Sequence, residues 1–158
     1  MSKGRKTGII ICSVLIAATL AFIWGNSAVS KAESAEESGK VYGVFAEFFN
    51  AIFGEGVITH KIFRKIAHFS EYALLGVEIY ALISLTLGIR PLVVLSSFQF
   101  GLYAAVIDES IQILSERGAL VSDVLLDFCG YAFGAALFLV VFLIVKAIKR
   151  NRLHNDEV

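Results

Sequence analysis

The hydrophobic positions of this chain fall into four long runs that short polar segments separate. The runs cover residues 7–24, 66–88, 92–114 and 124–146. Each is close to the roughly 20 apolar residues that an α-helix needs to cross the hydrocarbon core of a bilayer. The pattern therefore predicts an all-α bundle of four transmembrane helices, folded as a single integral membrane domain over 1–158.

The segment 87–91 leaves little room for a wide loop between the second and third runs. It reads Leu-Gly-Ile-Arg-Pro, in which the glycine can end one helix and the only proline of the chain can open the next. These two runs are therefore predicted to form an antiparallel hairpin.

The segment 25–65, between the first and second runs, has two parts of different composition. Residues 27–40 are rich in Ser, Ala and Glu, which indicates an exposed and mobile stretch. Residues 41–53 carry large apolar side chains at helical spacing, which predicts an amphipathic helix. This helix could lie on the outer membrane surface or pack against the bundle, and the sequence allows both.

Basic residues next to the runs indicate the orientation, because they concentrate in short cytoplasmic segments. The flanks predicted as cytoplasmic hold Lys3, Arg5, Lys6, Arg90, Lys146, Lys149, Arg150 and Arg152. The opposite flanks hold basic residues that several glutamates dilute, namely Lys31, Lys40, Lys61, Arg64, Lys65 and Arg117. Both termini of this multi-pass protein, including the tail 147–158, are therefore predicted to be cytoplasmic, with 25–65 and 115–123 outside.

The first run also has features of a secretory signal peptide. Basic residues precede it, and Ala28-Val29-Ser30 resembles a cleavage site. An uncleaved signal anchor is the preferred interpretation, because the run is long and Trp24 suits a membrane interface.

Composition excludes several other classes of protein. The chain of 158 residues is 57% hydrophobic and only 18% charged, below the usual quarter for soluble domains. Its basic residues form no stripe that would bind a nucleic acid. Cys12 and Cys129 both lie in apolar runs, so neither a disulfide framework nor a zinc ribbon is expected.

Ionisable and amide side chains in or beside the apolar runs are the candidate functional residues. Each charged group at membrane depth costs roughly 2.5–3.5 kcal/mol on insertion scales. With a rise of about 1.5 Å per residue, these side chains reach the same depth on three helices. The sequence thus predicts one polar cluster near the outer surface, made of Lys65, His68, Glu71, Tyr72, Asp108, Glu109, Gln112, Arg117, Asp123 and Asp127.

The residue types of this cluster allow more than one chemistry. Carboxylates and an imidazole can bind a divalent cation, the one cofactor that we consider. The candidate ligands are His68, Asp108, Glu109, Asp123 and Asp127. Alternatively, these acids form ion pairs with Lys65 and Arg117 that only hold the helices together. The same two basic residues could instead bind an anionic head group such as a phosphate, or anchor the helix ends at the interface.

Glu78 is placed near the middle of the bilayer, two turns beyond Glu71 on the same helical stripe. It could belong to a proton path together with His68. A hydrogen bond to a facing helix is the preferred interpretation, and Gln99 is a candidate partner by depth alone.

The order and spacing of these residues resemble the VanZ-like membrane protein family, over about 22–137. The matching pieces are 24–27, Lys65-x-x-His68-x-x-Glu71-Tyr72-x-x-Leu75-Gly76, Asp108-Glu109-x-x-Gln112, Arg117, and Asp123 through Asp127 to Gly130 and Gly134. The resemblance implies a bacterial protein that is integral to the cell membrane. It also implies a link to resistance against teicoplanin, a glycopeptide antibiotic, without a settled biochemical activity.

Four functional hypotheses follow. The first is a binding protein whose outward-facing cluster recognises a lipid-linked cell-wall precursor or another anionic lipid head group of the bilayer. The second is an enzyme that acts on a lipid phosphate at the membrane surface through carboxylate, histidine or metal chemistry. The third is a small proton-coupled transporter that uses Glu78, and the fourth is a purely structural network of ion pairs.

Overall fold

Five α-helices make up almost the whole chain in the computed structural model, which describes residues 1–118 and 120–155. They are α1 (Lys3–Ala28), α2 (Lys31–Phe53), α3 (His60–Thr86), α4 (Pro91–Leu114) and α5 (Val121–Asn155). All of these except α2 include a stretch long and apolar enough to cross a bilayer. The prediction of an all-α fold with four candidate membrane spans is confirmed.

Each predicted run corresponds to one helix: the first and the fourth lie inside longer helices, the third nearly coincides with α4, and the second extends two residues beyond the end of α3. Polar caps lie outside the apolar sequence: the Ser2 hydroxyl accepts a hydrogen bond from the backbone N–H of Arg5 at 3.3 Å, and Thr59 caps α3 in the same way. At the other end of the chain, α5 continues well into the predicted tail. Residues 156–158 of that tail, and Ala119 of the predicted outer loop, lie outside the described residues.

The predicted hairpin between α3 and α4 is confirmed. The backbone N–H groups of Leu87 and Gly88 both donate to the carbonyl of Ile83, at 3.0 and 2.9 Å. Gly88 has a φ of 74°, a left-handed conformation that suits glycine at the end of a helix. Pro91 then opens α4, where its missing N–H is not needed.

Small residues let α3 and α5 run side by side in very close contact. A Cβ atom placed on Gly134 would overlap the carbonyl oxygen of Ala73, and one placed on Gly130 would overlap that of Phe69. On α3, Gly76 has the same relation to the backbone of Tyr131. This close approach sets the distance between side chains on the two helices.

Polar contacts at both ends of α1 define how the helices run. The Arg5 guanidinium donates to the carbonyls of Leu85 and Thr86, at 2.6 and 3.2 Å, so α1 begins where α3 ends. At its other end, the carbonyl of Asn26 accepts a hydrogen bond of 2.7 Å from Arg117. We call the end of the bundle that holds Asn26 and Arg117 the site end, because the candidate residues gather there. The predicted cytoplasmic position of the opposite end stays a prediction.

Helix α2 begins earlier than the sequence pattern predicted. The Ser30 hydroxyl accepts a hydrogen bond from the N–H of Glu33 at 3.4 Å, and the helix runs from there without a break. It therefore includes the predicted amphipathic segment 41–53. Most of the stretch 27–40, for which an exposed and mobile segment was expected, is helical as well.

The two faces of α2 have different surroundings. Tyr42 donates a hydrogen bond of 2.7 Å to the carbonyl of Ile58, and the rings of Phe49 and Phe63 lie 5.8 Å apart, so one face packs on the start of α3. The other face exposes Val44 and Phe48. The first face matches the alternative in which the helix packs against the bundle, and a position of the second face on the outer membrane surface stays a prediction.

Candidate functional site

His68 lies between three carboxylates near the start of α3. Its Nδ1 atom is 4.0 Å from Glu71 Oε2, from Asp108 Oδ2 and from Asp127 Oδ1. Glu71 follows one turn later on α3, whereas Asp108 comes from α4 and Asp127 from α5. The structure therefore brings together four of the candidate residues, contributed by three helices.

Two of these carboxylates are buried inside the protein. The side chain of Asp108 is 0% exposed and that of Asp127 is 2% exposed, while His68 and Glu71 are about one-fifth exposed. Gln112 Nε2 donates a hydrogen bond of 2.9 Å to Asp108 Oδ2, and it lies 3.5 Å from the hydroxyl of the buried Ser27 on α1. Gln112 thus fixes the orientation of the Asp108 carboxylate.

Several polar atoms of this cluster find no hydrogen-bond partner within the described residues. They include His68 Nδ1, Asp108 Oδ1 and Asp127 Oδ1, all of them buried. A buried polar atom without a partner costs about 1–3 kcal/mol. His68 Nδ1 and Asp127 Oδ1 face each other at 4.0 Å, which is too long for a hydrogen bond. A proton or a cation between His68 Nδ1 and Asp127 Oδ1 would give both atoms a partner.

Lys65 and Asp123 form an ion pair at the mouth of the site. Lys65 Nζ lies 2.6 Å from Asp123 Oδ1, and the hydroxyl of Ser122 donates to the same oxygen at 3.2 Å. The side chains are 38% and 31% exposed. For these two residues the structure matches the ion-pair alternative, because this contact ties the start of α3 to the start of α5.

Glu109 supports the connection between α4 and α5. Its Oε1 atom accepts a hydrogen bond of 2.6 Å from the backbone N–H of Leu120. The connection also folds back on α4, because the N–H of Arg117 donates to the carbonyl of Gln112 at 3.0 Å. Gly118 follows with a φ of 74°. Glu109 is therefore placed to position the loop, next to the cluster that Asp108 enters.

Arg117 is half-buried at the site end, between α1 and the α4–α5 connection. One guanidinium nitrogen donates to the carbonyl of Asn26, and the described residues offer no acceptor to its Nε atom. Burial, and then the nearby charge of Arg64, lower the pKa of Arg117 from its ordinary value. An arginine stays protonated at neutral pH, so this side chain holds a positive charge with an unused donor.

Tyr72 belongs to the core of the bundle. It is fully buried, and its hydroxyl donates a hydrogen bond of 3.1 Å to the carbonyl of Ala104 on α4. Although Tyr72 is adjacent in sequence to Glu71, its polar atom therefore stabilises the contact between α3 and α4.

A cavity of about 290 Å³ opens above the cluster at the site end. His68, Gln112, Asp123 and Asp127 line part of it. Its basic lining consists of His60, Lys61, Arg64, Lys65 and Arg117. A second cavity of about 360 Å³ shares Arg64, His68 and Arg117 with the first.

Three of the basic lining residues were not among the sequence candidates. They stand in the polar segment just before the second apolar run, where basic residues commonly anchor a helix end, and they are His60, Lys61 and Arg64. The signal that indicates Arg64 is its position on α3, because it precedes His68 by one turn and therefore shares its face.

Glu78 lies away from the cluster and has a partner on α1. Its Oε1 atom accepts a hydrogen bond of 3.1 Å from the hydroxyl of Thr19. The candidate partner Gln99 was wrong, because this side chain is exposed on the surface of α4. The preferred interpretation of Glu78, a hydrogen bond to a facing helix, is confirmed, and a proton path stays a prediction.

Four membrane-length helices with an ionisable cluster at one end of their bundle define a polytopic membrane protein. The family is given by the sequence: the model of the VanZ/LLP1 family matches residues 9–144. The chain belongs to this family, which confirms the resemblance. None of the curated proteins and none of the solved structures matches the chain.

Proposed function

We propose that this protein binds the phosphate-bearing head group of a bacterial envelope lipid or lipid-linked cell-wall precursor in the cavity at its site end. The observation that carries the proposal is the lining of that cavity, where four lysines and arginines surround one space at the end of the bundle. Phosphate and carboxylate oxygens are the groups that such side chains bind best.

Only one of the four lysines and arginines that line the cavity forms an ion pair within the described residues. Lys65 is paired with Asp123, but within the described residues no carboxylate lies within 4.0 Å of the basic nitrogens of Lys61, Arg64 or Arg117. Arg64 and Arg117 also line both cavities. A planar guanidinium can present two parallel N–H groups to a phosphate, so these two arginines are the preferred contacts.

The position of the cavity suits a ligand that has a lipid tail. It lies where α3 and α5 begin, and the ends of helices that span a bilayer are expected near the level of its head groups. The spans expose large apolar side chains on their outer surface, for example Leu95 and Tyr103. A phosphorylated lipid could keep its tail among the other lipids while its head group enters the cavity.

The proposal extends to the side of the membrane and to antibiotic susceptibility. The distribution of basic residues predicts a cytoplasmic location for both termini, and in this orientation the cavity would lie on the outer surface. A protein that holds lipid-linked cell-wall components there would change how a glycopeptide meets its target. Teicoplanin susceptibility should then differ between cells that express the wild type and cells that express Arg117→Ala at the same level.

Lipid binding can be measured directly with purified full-length protein. We would reconstitute it in nanodiscs that contain a neutral lipid with a small fraction of undecaprenyl phosphate or phosphatidylglycerol, and count the retained lipids by native mass spectrometry. Arg64→Gln and Arg117→Gln should each retain less phosphorylated lipid than the wild type. Arg90→Gln is the matched control, because Arg90 is exposed in the α3–α4 hairpin at the opposite end. Equal retention by all four proteins would overturn the proposal.

A second candidate function is hydrolysis of a lipid phosphate in the same cavity. It is favoured by His68, which lines the cavity and lies 4.0 Å from two buried carboxylates, an arrangement that can hold and move a proton. Release of inorganic phosphate from a phosphorylated lipid, lost in His68→Gln, would support this function. A wild type that binds such lipids without releasing phosphate would reject it.

A further inference from the structure

Three side chains of the cluster have the composition and the spacing of a cation site. Three potential ligand atoms lie within 4.8 Å of one another, one each from His68, Asp108 and Asp127. The three residues come from α3, α4 and α5, so the rigid packing of these helices determines their separation. Imidazole nitrogen and carboxylate oxygen are both donor types that Zn²⁺ and related divalent transition metals bind.

Buried polar atoms that lack hydrogen-bond partners support a bound ligand between His68 and the two aspartates. Asp108 and Asp127 are almost completely buried, and an oxygen of each has no hydrogen-bond partner within the described residues. The unpartnered oxygen of Asp127 is the one that faces the unpartnered Nδ1 atom of His68. Native proteins rarely leave such buried atoms without a partner, and a cation would satisfy His68 Nδ1 and Asp127 Oδ1 together. The Asp108 oxygen that faces His68 is Oδ2, which accepts the hydrogen bond of Gln112 and can still bind a cation.

The number of acidic groups around His68 also suits a cation. Three carboxyl groups, from Glu71, Asp108 and Asp127, surround its Nδ1 atom. Carboxylate oxygens and an imidazole nitrogen are the donor atoms that divalent cations bind in proteins.

We propose that His68, Asp108 and Asp127 bind a divalent transition-metal cation such as Zn²⁺ or Mn²⁺. Catalytic metal sites commonly have three protein ligands and one open coordination position. His68 and Asp127 also line the cavity, so the open position faces the space between the basic side chains. Gln112 holds the Asp108 carboxylate by a hydrogen bond, as residues around metal ligands commonly do.

The movement needed to form the site is small. Tetrahedral ligands at about 2.0–2.1 Å from a metal lie about 3.3 Å from one another. The imidazole nitrogen is 4.0 Å from each of the two aspartate oxygens, so these contacts must shorten by about 0.7 Å, and all three ligand atoms lie within 4.8 Å of one another. Rotation of the carboxylates about their side-chain bonds can supply a shift of this size without moving the helices.

The proposal is independent of lipid binding, because it can be tested with the metal alone. Full-length protein in detergent would be stripped with EDTA, dialysed against Zn²⁺ or Mn²⁺, and analysed by inductively coupled plasma mass spectrometry and calorimetry. The wild type should bind one equivalent, and His68→Gln and Asp127→Asn should weaken binding at least tenfold. Glu78→Gln is the matched control, a buried carboxylate on α3 that is bonded to Thr19 and should leave metal binding unchanged. Absence of stoichiometric binding, or an equal loss in the control, would overturn the proposal.

X-ray absorption at the zinc edge tests the same site in the wild type, without any substitution that could disturb folding. The spectrum should show one imidazole ligand together with oxygen ligands. Sulfur ligation would instead assign the metal to Cys12 or Cys129, and a spectrum with oxygen alone would exclude His68. Either of those two results would contradict the assignment.

Discussion

Replacing Gly130 with alanine should push α3 and α5 apart at the level of the cluster. The added Cβ would lie 3.1 Å from both the Cα and the carbonyl carbon of Phe69, and it would overlap the carbonyl oxygen. Carbon atoms pack best at about 3.5–4.0 Å, so the helices must separate by about 0.4–0.9 Å. The neighbour is backbone, which cannot rotate away as a side chain can.

The energetic consequence follows from two opposing effects. Overpacking of a close contact costs about 1–3 kcal/mol. Alanine is more stable than glycine inside a helix by about 0.5–1 kcal/mol, which offsets part of this cost. Because the clash is with backbone, the upper half of the overpacking range applies, and after the offset we expect Gly130→Ala to lower the free energy of unfolding by about 1–2.5 kcal/mol. Gly25→Ala is the control, because a Cβ on Gly25 meets nothing within 4 Å in the described chain, and it should be neutral or stabilising.

Reversible unfolding in mixed micelles, followed by circular dichroism, would measure both variants. Gly130 follows Asp127 by one turn on α5, and Phe69 follows His68 directly on α3, so lipid retention should also fall in Gly130→Ala. Wild-type stability in Gly130→Ala, or an equal loss in Gly25→Ala, would refute the close contact on which this reasoning depends.

Three further predictions concern the Lys65–Asp123 ion pair, the hydrogen bond of Tyr72 and the orientation of the chain in the membrane. A double-mutant cycle on Lys65 and Asp123 should give a coupling free energy of about 1 kcal/mol or less, because both side chains are about one-third exposed; several kcal/mol would contradict this. Tyr72→Phe should cost about 1 kcal/mol of stability and leave lipid retention unchanged, since its hydroxyl lies in the core; reduced retention would place the hydroxyl in the site. A membrane-impermeant thiol reagent should label Ala32→Cys but not Arg150→Cys in intact cells, and the opposite pattern would reverse the proposed orientation.

Hydropathy predicted the four spans well, because crossing a bilayer requires a minimum length of apolar helix. It could not predict where the helices begin, since their caps lie in polar sequence. The clearest example is α2, which begins after Ser30 rather than near residue 41. Ser30 and Glu33 form the Ser-x-x-Glu pattern of a capping box, and this local signal was available in the sequence.

The depth of the polar residues could be predicted from the rise of a helix, but their direction around each helix axis could not. Asp123 and Asp127 are one turn apart on α5, yet one pairs with Lys65 at the mouth and the other faces His68 inside the bundle. Glu109 binds the loop while its neighbour Asp108 enters the cluster. These differences depend on how α3, α4 and α5 pack, which a single sequence does not specify.

His68 and the aspartates of two other helices meet inside the bundle. Solid-state NMR in bilayers can measure this in a His60→Gln/His154→Gln variant, which leaves one imidazole for ¹⁵N labelling beside ¹³C-labelled aspartate carboxyl groups. We predict dipolar coupling consistent with the 4.0 Å between His68 Nδ1 and the oxygens of Asp108 and Asp127. An imidazole without measurable coupling to any aspartate would contradict the account.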